Sequence, residues 1–147
     1  MMQKEEQMSV FKLTASVTLL TGLLGAGFAS AQDAAIGAEI YQERCSVCHG
    51  ETGAGDGLVG ELFDRKPRNL SHLAKDNGGL FPFEAVYKSI DGTTEIKGHG
   101  YSNMPVWGRY FVAEEMEDPA SNPRDAKAVT QGRILAVVYY LQTIQEQ

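Results

Sequence analysis

Arg44-Cys45-Ser46-Val47-Cys48-His49-Gly50 is the stretch on which the reading of this chain turns. Two cysteines three apart at the end of a helical pattern project to one side, and a histidine follows at once. This C-x-x-C-H string is the attachment signal for c-type haem. The two thiols add to vinyl groups as thioethers, and the histidine is carried beneath the ring, where a nitrogen can bind iron. Three plainer readings compete: a structural disulfide, a thioredoxin-like redox pair and half a zinc site. The redox pair wants a βαβ context that the pattern lacks. The zinc site wants a second cysteine pair, but these are the only two cysteines, and His72 and His99 are poorly spaced to complete one. The expectation is one covalently attached haem c, anchored by Cys45 and Cys48, with His49 as an iron ligand.

Working outward, residues 33–48 are predicted helical: Ile36, Ile40 and Tyr41 share one face, and Glu39, Gln42 and Glu43 the other. Gly50 to Gly60 is a loop rich in glycine. Residues 66–80 are irregular, begun around Pro67 and ended by Gly78-Gly79. A short helix runs from Phe83 to Ile90, with Pro82 before it and Gly92 beyond it. Residues 98–108 return to loop. Phe111 to Asp125 is polar, holds Pro119 and Pro123, and reads as a connecting excursion. The last helix spans about 124–145, with Ile134, Val137, Val138, Leu141 and Ile144 as its apolar stripe. A few helices joined by such long loops are uncommon in a compact domain unless something organises them, and a large buried cofactor supplies that missing core.

The chain has 147 residues and a formal net charge of −6. That length suits one domain plus a leader, and the acidic balance argues against nucleic acid as a partner. Residues 1–31 read as a secretory signal: Lys4 and Lys12, an apolar stretch from Val17 to Phe28, then Ala29-Ser30-Ala31 as the processing site. Met8 is a candidate initiator that would remove Glu5 and Glu6 from the leader. The apolar run is shorter than the ~20 residues a retained membrane anchor needs. The expected mature domain is therefore 32–147, exported to the periplasm, with no membrane span left after cleavage.

Other residues resemble one family over nearly all of the mature chain. Gly37-x-x-x-Tyr41, Ile134-x-x-Val137-Val138-x-Tyr140-Leu141, Cys48-His49-Gly50 followed by Gly53, Gly55, Asp56 and Gly57, and Met104-Pro105-Val106-Trp107-Gly108 are similar to the motifs of bacterial class I cytochromes c. The resemblance implies an all-α cytochrome c fold, in which the N- and C-terminal helices cross with glycine against aromatic. It implies Met104 as the second iron ligand. A thioether there raises the reduction potential. His99 is the rival ligand, Met116 lies in an acidic run, and His72 reads as surface. The resemblance also implies that the Pro67 carbonyl accepts the hydrogen bond of His49, with a plain turn proline as the alternative. The haem propionates need donors, and Arg68, Trp107 and Arg109 are candidates.

The function so implied is one-electron transfer, not catalysis. Redox proteins would be its donor and acceptor, a dehydrogenase or terminal oxidase among them, meeting the haem edge near the thioethers. One alternative is a fixed cytochrome subunit of a periplasmic dehydrogenase or oxidase complex. A second is a haem enzyme or gas sensor with an open distal site. A third is a haem-free binding module closed by a disulfide. The acidic run at 114–118 reads as a solvated face, or else as a docking surface for a basic partner.

Overall fold

A computed structural model describes residues 27–63, 65–93 and 104–146, with side chains from residue 32 onward. The chain divides between Gln32 and Asp33, and the second unit, Asp33–Gln147, carries the core and the candidate site. The described residues form helices and loops, with no strand among them.

Helix α1 spans Gly27–Arg44 and α2 spans Ser46–His49, separated by a turn at Cys45. The break is slight: Cys45 N–H still donates to Tyr41 O at 2.8 Å and His49 N–H to Cys45 O at 2.9 Å. The helix begins earlier than the apolar pattern suggested, because Ala29 and Ala31 are strong helix formers. Ile36, assigned by its spacing to the inner face, is 46% exposed; Tyr41 is the fully buried member of that set. A 3₁₀ turn follows at Gly60–Leu62 and a single helical turn, α3, at Leu73–Asp76.

Helix α4, Phe83–Asp91, matches its prediction, and Gly92 closes it in the left-handed conformation at φ 82°. Helix α5, Trp107–Glu115, overturns the reading of 111–125 as a connecting excursion. Its fully buried residues are Gly108 and Phe111, with Trp107 partly buried against the core, so no extended apolar period announces it. The two prolines that suggested a loop lie beyond its end. Helix α6, Pro123–Thr143, starts with Pro123 in its first turn and Asn122 as N-cap, whose side chain accepts from the Arg124 and Asp125 N–H groups.

The core gathers Tyr41, Leu73, Val86, Ile90, Phe111, Ile134, Val137, Val138 and Leu141. Helix α6 supplies four of these, so one stripe serves α1, α4 and α5 together. Gly37 permits the closest approach. A Cβ there would overlap the Ala136 carbonyl oxygen and lie 3.0 Å from Tyr140 Cβ. One turn on, the rings of Tyr41 and Tyr140 meet at 5.1 Å.

Candidate haem-attachment site

The site starts at the end of α1. Tyr41 is fully buried, and its hydroxyl donates to Gly50 O at 2.7 Å, which ties the far side of the C-x-x-C-H turn back to the helix. Burial, then the nearby Cys45 thiol, raises the Tyr41 phenol well above its usual range, so it stays a donor. The glycine-rich loop then folds over the motif. Val59 N–H donates to Val47 O at 3.0 Å, and Gly55 N–H to His49 O at 2.8 Å. A Cβ on Gly57 would sit 2.5 Å from the Cys48 carbonyl carbon. Only glycine allows that approach, which is the local reason for the composition of this loop.

Cys45 and Cys48 are both free thiols and both partly buried. Burial, then the neighbouring Cys48, pushes the Cys45 thiol up to about 12. A thioredoxin-like pair requires the opposite, a thiolate stabilised near neutral pH. Among the described residues no group of three or more His, Cys, Asp or Glu side chains gathers as a metal cluster.

His49 is held by one bond. Its Nδ1 lies 3.1 Å from the Arg68 carbonyl oxygen. A carbonyl only accepts, so Nδ1 carries the proton and the lone pair is on Nε2. Burial lowers the pKa of His49, and the Arg68 carbonyl bond opposes that shift; the ring is neutral and presents Nε2 as a ligand. The acceptor is thus Arg68, not Pro67. The Pro67 carbonyl is turned toward Gly55, 2.5 Å from where a Cβ would stand, and its ring packs over Gly60 at 2.8 Å from the equivalent position. Pro67 shapes the loop, and the next carbonyl reaches the histidine.

The other candidates divide. The Arg68 guanidinium pairs with Asp76 at 2.9 Å on the surface, while its backbone carbonyl meets His49. Trp107 is partly buried and stacks at 5.6 Å from Phe111 and 5.8 Å from Tyr110. Arg109 is exposed. Met104 is half-buried and packs on the same core as Cys45 and Trp107, while Met116 is exposed. His99 lies outside the described residues. Cys45 and Met104 pack on one apolar core, and with Cys48 and the oriented imidazole of His49 they form a donor set that fits a covalently bound haem with iron.

Two features escaped sequence reasoning. His72, read as surface, is half-buried and meets Glu146 Oε2 at 2.8 Å. The acidic run is not simply solvated: Glu114 meets Arg44 at 2.9 Å and Arg133 at 3.0 Å, and Glu115 meets Arg133 at 3.3 Å. Arg133 also lies over the Phe111 ring, 4.0 Å from its centroid. The run therefore fastens α5 to α1 and α6. Opposite charges far apart in sequence were the only available signal.

A family model described as cytochrome C oxidase, cbb3-type, subunit III matches residues 32–120. The chain is similar to the chloroplastic cytochrome c6 of Chlamydomonas reinhardtii, 28% identical over 109 residues, which cover 74% of this chain and 63% of that protein. It is similar to cytochrome c-555 of Methylococcus capsulatus, 32% identical over 125 residues, with 74% of this chain and 93% of that protein covered. The chain thus spans less than two thirds of the first relative and nearly all of the second. No solved structure matches.

Proposed function

Since the chain belongs to the class I c-type cytochromes, whose cofactor is covalently bound haem c, we propose that it is an exported electron carrier with His49 and Met104 as iron ligands. The observation that carries this reading is the His49–Arg68 bond beside two free thiols. When bound, haem supplies one reversible electron through its Fe(III)/Fe(II) couple.

The residues of the chain perform the supporting work. Cys45 and Cys48 retain the group by thioether bonds, which prevents its loss outside the cell. His49 offers Nε2 while the Arg68 carbonyl fixes its orientation and raises its basicity. Met104 adds a thioether, which favours the reduced state. His49 and Met104, both held by the fold, would keep the surroundings of the bound group nearly unchanged between its oxidation states. No side chain is required to move a proton.

Export rests on the leader reading of 1–31, with cleavage after Ala31 and residence in the periplasm. Among the described residues no helix is long and apolar enough to cross a membrane. N-terminal sequencing of the mature protein tests the cleavage position. The fixed-subunit reading draws on the description of the matching family, an oxidase subunit. A partner subunit that co-purifies from native extract favours it over a free shuttle.

The decisive experiment is the visible and near-infrared spectrum of the ferric and reduced protein, with and without carbon monoxide, for the natural chain and Met104→Ala. The expected result is a c-type spectrum with a sulfur–iron charge-transfer band, insensitive to the gas, and loss of the band with rapid gas binding in the variant. Gas binding by the natural chain would remove Met104 from the iron and favour an enzyme or sensor.

A further inference from the structure

We propose that Gln145 and Glu146 form a latch that positions His49, acting through the segment that bears the Arg68 carbonyl; the inference rests on the reading of His49 as an iron ligand. Helix α6 ends at Thr143, so residues 145 and 146 lie beyond its regular hydrogen bonds. Here the two residues engage Leu70, Ser71, His72 and Ala74, some seventy residues away. Gln145 Nε2 donates to Leu70 O at 2.8 Å, and its Oε1 accepts from Ala74 N–H at 2.8 Å. Glu146 N–H donates to Ser71 O at 2.9 Å. The two Glu146 carboxylate oxygens accept from Ser71 Oγ and His72 Nε2, each at 2.8 Å.

The held segment begins just after Arg68. Leu70 N–H donates to Gly53 O at 2.6 Å, so the segment is bound on one side to the loop over the C-x-x-C-H motif and on the other to the C-terminus. Asn69 Oδ1 accepts from Ser71 N–H at 2.8 Å and competes with Glu146 for the single Ser71 hydroxyl proton. At its far end the Arg68 side chain meets Asp76. The Arg68 carbonyl is therefore placed by a segment that is anchored through its neighbours, Leu70 to Ala74. Its bond to His49 is 3.1 Å long, so a displacement of roughly 0.5 Å takes it beyond hydrogen-bond range. Loss of that bond makes the imidazole a weaker donor to iron, which destabilises the ferric form and raises the reduction potential.

The test uses the haem-loaded protein as Gln145→Ala, Glu146→Ala and a chain ending at Thr143, with Lys88→Ala as a remote control that breaks only the Glu84 pair on α4. Three quantities are read: solvent exchange of the His49 Nδ1 proton by NMR in the reduced state, the midpoint potential, and the unfolding temperature. Latch variants are expected to exchange that proton about tenfold faster, the factor set by weakening one ordinary hydrogen bond. Their potential is expected to rise, and Lys88→Ala to leave both quantities unchanged. Latch variants that lose thermal stability while exchange and potential stay at the natural values would overturn the proposal, since the C-terminus would then only stabilise. The single substitutions decide the matter if the truncated chain does not fold. A natural chain whose spectrum lacks a histidine ligand would remove the premise, a failure visible before any variant is made.

Discussion

Replacing Gly37 by alanine tests the central contact of the domain. In an exposed helix the change stabilises by about 0.5–1 kcal/mol, because glycine loses more backbone freedom on folding. At position 37 the new Cβ would overlap the Ala136 carbonyl oxygen and press on Tyr140 Cβ at 3.0 Å. The Ala136 atoms it meets are backbone within α6, so no side chain can swing away and α1 and α6 must part. A van der Waals carbon–oxygen contact needs ~3.3 Å, so the separation is on the order of 1 Å. Overpacking of this kind costs about 1–3 kcal/mol, and the parting also loosens Tyr41 against Tyr140. The net expectation is destabilisation by about 2 kcal/mol, or roughly 10 °C in unfolding temperature for a domain of this size. Gly132 is the internal control. It lies within α6 with nothing within 4 Å of its Cβ position, so Gly132→Ala is expected to raise the unfolding temperature by a few degrees. Thermal unfolding of the three haem-loaded proteins gives the comparison. If Gly37→Ala proves as stable as Gly132→Ala, the close approach at Ala136 is wrong.

Glu114→Ala removes the acid shared by Arg44 and Arg133, whose side chains are 40% and 22% exposed; this intermediate burial predicts a loss of about 1–2 kcal/mol in urea unfolding, whereas exposed Glu117→Ala changes little. Asn122→Ala removes the acceptor of the Arg124 and Asp125 N–H groups at 3.0 and 3.2 Å and is expected to cost about 1 kcal/mol, read from the same unfolding curves. Glu146 is held below its usual 4.5, first by the Ser71 hydroxyl and then by His72, so below pH 4.5 the unfolded chain binds more protons than the folded one. Its stabilisation is full above that pH and is lost as pH falls through the lower folded value; Glu146→Gln should flatten this part of the stability–pH curve, and an unchanged slope would count against the contact.

The attachment chemistry was legible because it is written in adjacent residues. Cys45, Cys48 and His49 need only a helical turn to project together, and the stripe on α6 follows from a 3.6-residue period. Helix α5 was not legible. Its few inward residues, Gly108 and Phe111, make no pattern, and Glu114 and Glu115 read as solvent-facing until Arg44 and Arg133 arrive from other helices. Pro67 drew attention as the residue whose carbonyl, in the family, accepts the histidine bond, yet the loop turns its carbonyl toward Gly55 and brings that of Arg68 to His49.

Sequence alone thus pointed to the candidate attachment residues and to a cofactor, and determined where the helix with a continuous apolar face runs. Tertiary structure decided which carbonyl orients the imidazole, which cations neutralise the acidic run, and what the C-terminus holds. The physical reason is range. Thiols and an imidazole three or four residues apart are placed by local backbone geometry, whereas a hydrogen bond between Glu146 and Ser71 exists only after the whole chain between them has closed.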